Sequence, residues 1–164
     1  MARPNESASA VTLSVLDRLI DQDPGTSSEA PPTRSQSVRQ LKDALRRDLE
    51  WLLNTRRIAV PPDESLKEVN DSAYIFGLPD FSAYSLKSIK DQTKLMRHLQ
   101  TTVKLFEPRL ANVKVVPLES DEPGTRTLRF RIEGLLLMDP APEQVSFDTV
   151  LELTRGQYEV ENAG

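Results

Sequence analysis

The stretch Phe106-Glu107-Pro108-Arg109-Leu110 divides the chain into a helical half and a strand half. Before it, apolar residues recur every three or four positions, and after it they alternate. Pro108 removes a backbone donor and pushes Glu107 toward extended geometry, so the preceding helix is predicted to stop at about Phe106. In an extended stretch, residues two apart point to the same side, which sets Glu107 and Arg109 side by side on a stiff corner. A charged feature whose direction the backbone fixes suits docking to a partner. Its bland counterpart is a helix stop carrying a surface ion pair worth ~0–1 kcal/mol.

Toward the N-terminus, the helix that ends at this corner is predicted over about 86 to 106. Ile89, Met96, Leu99, Val103 and Phe106 form one stripe, and Ser88 stands three residues before Asp91 as its cap. An earlier amphipathic helix is predicted from about 37 to 54, with Val38, Leu41, Leu45, Leu49 and Leu52 on its apolar face and Ser37 and Gln40 at capping-box spacing. Arg39, Lys42, Asp43, Arg46, Arg47 and Glu50 fill its other faces, the usual make-up of a solvated surface. Asn54 suits a left-handed cap, and Arg56 and Arg57 suit the negative helix end. Between the two helices, one short helix is predicted around Leu66, Val69, Ala73 and Ile75. Gly77-Leu78-Pro79-Asp80-Phe81 then makes a turn anchored by Leu78 and Phe81.

Toward the C-terminus, four strands are predicted: one through Val113 and Val115, one through Leu128, Phe130 and Ile132, one through Val145, Phe147, Thr149, Leu151 and Leu153, and one through Tyr158 and Val160. The links at Glu119 to Arg126, Asp139 to Glu143 and Thr154 to Gln157 are short enough for an antiparallel meander. Helices followed by strands imply an α+β fold, two main amphipathic helices packed on a four-strand meander. The last strand is placed to be an edge, open to pairing with another chain.

Residues 1 to 10 are polar and expected to be mobile. Val11, Leu13, Leu16, Leu19 and Ile20 then give a short apolar-rich helix, and Asp23 to Thr33 is a flexible Pro-, Gly- and Ser-containing linker. A helix so short is marginal alone, so it docks either on its own domain or on a partner, where Leu16 and Leu19 would be its contacts. The division expected is a tethered N-terminal segment at 1–36 and a single domain at 37–164.

With 164 residues the chain is long enough to bury a real core, and a formal charge of −4 gives no basic face for nucleic acid or an anionic membrane. Zero cysteines exclude disulfides and thiolate chemistry and fit a reducing cytoplasm. No run approaches the ~18 apolar residues of a membrane span. The chain reads as soluble and cytoplasmic.

Catalytic patterns are lacking. There is no phosphate-cradling glycine loop, no paired-histidine metal spacing and a single histidine, His98. No cofactor or metal site is expected. A glycosidase-like carboxylate pair can be imagined among 25 acidic residues, but a lysozyme-type acid needs an apolar pocket to keep it protonated, and Glu107 has Arg109 within reach.

Asp48-Leu49-Glu50-Trp51-Leu52-Leu53-Asn54-Thr55-Arg56-Arg57, Tyr74 with Gly77-Leu78-Pro79-Asp80-Phe81, and Phe106-Glu107-Pro108-Arg109-Leu110 together closely resemble the TssE family of type VI secretion baseplate subunits. This is the phage-baseplate wedge family that carries the label "lysozyme-like". The resemblance covers roughly residues 12 to 160, and departs from the family in a longer, more proline-rich linker at 24 to 35. It implies a structural role in the cytoplasmic baseplate, docked on a TssF/TssG wedge alongside TssK and helping to start the contractile TssB–TssC sheath around the Hcp tube. It also implies that Glu107, Pro108 and Arg109 contact the TssF/TssG core. The alternative carried by the family label is a peptidoglycan-degrading hydrolase.

Overall fold

A computed structural model describes residues 11–20, 25, 32–81, 83–85, 88–118, 127–152 and 157–163. The mobile segment expected at 1–10, most of the linker at 23–33, Leu153 and the strand links at 119–126 and 153–156 lie outside the described residues. Two compact units divide the chain, Met1–Leu45 and Arg46–Gly164.

In the first unit, α1 is Val15–Leu19, capped by Ser14, whose hydroxyl accepts from the Asp17 N–H. None of its residues is buried. The Val11 N–H donates to the Ser37 hydroxyl over 3.0 Å, and Ser37 is buried. Helix α2 spans Arg34–Asn54 and so begins one turn before the predicted start. Thr33 and Gln36 have the capping-box spacing that Ser37 and Gln40 also offered: the Thr33 N–H donates to Gln36 Oε1 over 2.8 Å and the Gln36 N–H to the Thr33 hydroxyl over 3.4 Å. Ser37 instead lies inside the helix, its hydroxyl donating to the carbonyls of Thr33 and Arg34.

The second unit holds the C-terminal turns of α2 and everything beyond. Leu49, Leu52 and Leu53 are buried along α2. Asn54 is not a left-handed cap but the last helical residue. Its side chain pairs with the main chain of Tyr158, donating to the carbonyl over 2.8 Å and accepting from the N–H over 2.9 Å. The single short helix expected next is split into α3, Lys67–Asn70, and a 3-10 turn, Ala73–Ile75, with the hydroxyl of Ser72 capping the second. Leu78 and Phe81 are buried, as the turn reading required. Gly77 sits at φ +100°, where an added Cβ would stand 2.3 Å from the Thr55 carbonyl oxygen. That close approach lets Thr55 and Arg57 exchange main-chain hydrogen bonds with Leu78, both 2.8 Å. Arg56 and Arg57 thus lie past the helix end, in a strand-like bridge.

Helix α4, Ile89–Phe106, is capped by Ser88, whose hydroxyl accepts from the Asp91 N–H, and it buries Leu95, Met96, Leu99, Thr102 and Val103. Ile89 leaves the predicted stripe: at the first helical position it is 79% exposed. Strands β1, Leu110–Pro117, β2, Thr127–Leu136, β3, Glu143–Glu152, and β4, Gln157–Asn162, pair antiparallel in the order β1-β2-β3-β4, a meander whose two edges are β1 and β4. The alternation holds without a break in β2, which buries Leu128, Phe130, Ile132, Gly134 and Leu136. In β1 the register slips between Ala111 and Lys114, and Asn112 takes φ +53°. The bulge lies beside Gly134, where a Cβ would come within 3.3 Å of the Ala111 carbonyl. The fold is α+β. Helix α4 packs on β1, and α2 reaches β4 through Asn54 and through Arg46, which donates to the Val160 carbonyl over 3.3 Å. Each fully buried Leu or Phe of this core contributes ~1.5–3 kcal/mol.

Candidate functional site

Glu107 is the C-cap of α4, with its N–H still bonded to the Val103 carbonyl at 2.9 Å. The corner that follows is a tight turn rather than an extended stretch: the Leu110 N–H closes back on the Glu107 carbonyl over 3.1 Å. Pro108 thereby occupies the first central position of a four-residue turn, where its fixed φ belongs. The Arg109 carbonyl accepts from the Leu137 N–H over 2.9 Å, so the end of β2 holds the turn from behind.

Within this turn the side chains converge as the sequence led one to expect, although by a different backbone route. Arg109 Nε donates to Glu107 Oε1 over 2.7 Å and Nη2 to Glu107 Oε2 over 2.5 Å, a bidentate fork. The Arg109 N–H also donates to Glu107 Oε1, at 3.1 Å. A third group completes the arrangement. Arg109 Nη2 donates to Asp48 Oδ2 over 2.6 Å, from a residue 61 positions earlier on α2. Asp48 Oδ1 in turn accepts from Arg47, at 3.0 Å from Nε and 2.7 Å from Nη2. Arg47 lies over the ring of Trp51, 5.0 Å from its centroid, and Trp51 is 55% exposed.

Burial distinguishes the members. The Glu107 side chain is 6% exposed and that of Arg109 25%. Pro108 stands out in solvent. The pair is therefore not the loose surface bridge of the bland reading. Its hydrogen bond to Glu107, and then the charges of Glu107 and Asp48, hold Arg109 above its ordinary pKa against the opposing effect of burial. Both carboxylate oxygens of Glu107 accept from the Arg109 guanidinium.

Of the residues the sequence singled out, Glu107, Pro108 and Arg109 come together at one turn. Leu16 and Leu19 lie in the unit of residues 1–45, on α1, at 51% and 76% exposure. In the sequence Arg47 is one of the residues of a solvated helix face, and Asp48 and Trp51 stand out only within the motif that carries the resemblance; the structure links Asp48 to the turn, Arg47 to Asp48 and Trp51 to Arg47. No local pattern announces a partner 61 residues away. Elsewhere, His98 stacks at a tilt on Phe81, 5.7 Å between centroids, and burial followed by the charges of Arg57 and Lys94 lowers its pKa. A groove of about 410 Å³ opens between the end of α2 and strands β2 to β4, with Glu50, Glu152 and Glu159 on its walls. Among the described residues no group of His, Asp and Glu is arranged to hold a metal ion, and no helix is long and apolar enough to cross a membrane.

A chain in a solved structure, "The baseplate complex from the type VI secretion system", is similar at 21% sequence identity with a TM-score of 0.47, over 68% of this chain and 94% of that one. No curated protein matches the sequence. The sequence pattern of the family described as "Baseplate wedge protein gp25" matches residues 39–141, which take in most of α2, the Gly77 turn, α4, the Glu107–Arg109 corner, β1 and β2. The chain therefore belongs to the gp25 family of baseplate wedge proteins.

Proposed function

We propose that this chain is a non-enzymatic structural subunit of a type VI secretion baseplate, which docks through the Glu107–Arg109 corner on a TssF/TssG wedge in the cytoplasm. TssK stands alongside in the same baseplate, and the docked subunit helps to initiate the TssB–TssC sheath. Family membership supports the baseplate part of the reading, and the three sequence motifs support the type VI part. The observation that carries the docking part is the locked guanidinium of Arg109 at a proline turn, held by two carboxylates and still partly exposed. Fixing a long, flexible cation in one direction costs rotamer entropy before any partner arrives, which is the preorganisation a binding surface rewards. Leu16 and Leu19 of α1 add a second, apolar contact with the baseplate in this reading.

Co-expression with TssF and TssG tests it. Arg109→Lys keeps the charge and loses the planar fork, so the folded variant is expected to drop out of the co-purified complex. Recovery of the complex at wild-type yield would overturn the docking assignment. The hydrolase alternative is tested by turbidity of a peptidoglycan suspension: clearing by the wild-type protein that is lost in Glu107→Gln would replace the structural reading.

A further inference from the structure

Arg109 has five N–H donors in a rigid plane. Its hydrogen bonds use Nε once and Nη2 twice, toward Glu107 and Asp48, and among the described residues none uses Nη1. The two carboxylates approach from different elements, Glu107 from the end of α4 and Asp48 from α2. With Glu107 alone the fork fixes the plane of the guanidinium only relative to its own turn. Asp48 ties that plane to α2, and Nη1, which has no partner among the described residues, is not among the buried polar atoms of this partly exposed side chain. Arg47, on the far oxygen of Asp48, and Trp51 beneath Arg47 hold the Asp48 carboxylate in place in turn.

We infer that Asp48 is a positioning residue for docking: it aims Arg109 so that Nη1 meets a hydrogen-bond acceptor of the partner, while Glu107 stays out of the interface. This rests on the docking reading above and deepens it by naming the partner chemistry. Arg47, Asp48, Arg109 and Glu107 carry two positive and two negative charges, so the cluster has no excess charge to be neutralised by an acid. The acceptor it fits is a carbonyl oxygen, as at the end of a partner helix or in a main-chain turn, rather than a carboxylate. A carboxylate brought to Nη1 would face Asp48 and Glu107 across the same guanidinium.

The test uses the full chain and the TssF–TssG pair as probe, with affinity measured for wild type, Asp48→Ala, Asp48→Asn, Arg109→Lys and the double variant Asp48→Ala/Arg109→Lys. Asp48 is partly exposed, so its variants are expected to melt close to wild type, and thermal melting is recorded for each. Asp48→Ala is expected to weaken binding about tenfold, and Asp48→Asn, which keeps an acceptor oxygen for Nη2, by less than about threefold. In the Arg109→Lys background Asp48→Ala is expected to add nothing, because a residue that acts only through Arg109 is fully coupled to it. Wild-type affinity also stays within about threefold between 0.05 and 0.5 M salt, as a neutral acceptor requires. Four results overturn the inference: unchanged affinity of Asp48→Ala, an equal loss from Asp48→Ala in both backgrounds, a Asp48→Asn defect as large as that of Asp48→Ala, or a steep loss of wild-type binding with salt. The first of these with Arg109→Lys still defective removes the inference and leaves the docking reading. Unchanged affinity of Arg109→Lys removes the docking reading itself.

Discussion

Gly77 and Thr149 show how single residues set the stability of this fold, in opposite directions. At Gly77 the positive φ and the 2.3 Å approach of a Cβ to the Thr55 carbonyl both exclude a side chain. Gly77→Ala is therefore expected to destabilise by ~2–4 kcal/mol in chemical denaturation, through strain together with loss of the Leu78 bridge. Thr149 is fully buried on β3, and its hydroxyl has no hydrogen-bond partner among the described residues. Thr149→Val keeps the shape and removes the orphaned hydroxyl, so it should raise stability by ~1 kcal/mol, seen as a higher denaturation midpoint at unchanged slope. The sequence made the Gly77 turn plain, since Gly and Pro two residues apart force one. It hid the cost at Thr149, because a threonine in an alternating strand looks the same whether or not its hydroxyl is satisfied.

At Glu107 the sequence was legible only in part. A surface ion pair of the kind the sequence suggests would tolerate charge reversal at either end. Burial changes this for Glu107: a reversed charge there would leave Arg109 facing a like charge in a largely enclosed site, at a cost of ~3 kcal/mol or more. Glu107→Lys is expected to lower the melting temperature sharply, whereas the apolar pair Glu107→Leu/Arg109→Met stays near wild type in stability because neither charge is left unpaired. Equal melting of Glu107→Lys and wild type would show that the fork contributes little to the fold.

Among the elements, α4 and β2 follow directly from their apolar periodicity and caps, whereas α2 shows where periodicity stops being enough. The stripe of Leu41, Leu45, Leu49 and Leu52 places its buried face, but its start depends on which of two equally spaced polar pairs caps it, and Thr33 with Gln36 wins. Its far end is set by a tertiary interaction. Asn54 satisfies both main-chain groups of Tyr158 and so fastens β4, a strand that among the described residues pairs with β3 alone. Asn54→Ala is expected to cost ~1–2 kcal/mol and to raise amide hydrogen exchange selectively in β4. Uniform change across the sheet would show that Asn54 does not hold that strand. Such a pairing over more than a hundred residues leaves no trace in local pattern, and neither does the link from Asp48 to Arg109. The β1 bulge is similar: Asn112 tolerates a left-handed conformation, but nothing in the alternation of Val113 and Val115 demands one.

The whole molecule draws on pairs that respond to acid. On the exposed face of the sheet Arg131 forks Asp148 across β2 and β3, at 2.6 and 2.9 Å. The Arg131 hydrogen bond, helped by its charge, holds the Asp148 carboxyl below its ordinary 3.8. A carboxyl with a lowered folded pKa stabilises the fold above its unfolded value, and that contribution is lost as pH falls through the folded one. His98 works in the same sense at higher pH, since its folded pKa lies below 6.5 and protons favour the unfolded chain. Stability is thus expected to decline in two stages on acidification, the first beginning near pH 6.5 and absent in His98→Phe, the second below pH 3.8 and reduced in Asp148→Asn. A single stage unaffected by either substitution would contradict this assignment.

At this scale the order of helices, proline corner and strands was readable from the start, and with it the fold class. The part that the sequence could not show was the joining of α2 to the corner, which turns a charged pair into a locked, partly exposed guanidinium. A structure of this chain bound to the TssF–TssG pair tests whether that guanidinium meets the partner. In that complex Pro108 and the Nη1 edge of Arg109 are expected to be enclosed by the partner, with Glu107 still forked beneath. A bound complex in which the corner faces open solvent would contradict the docking assignment.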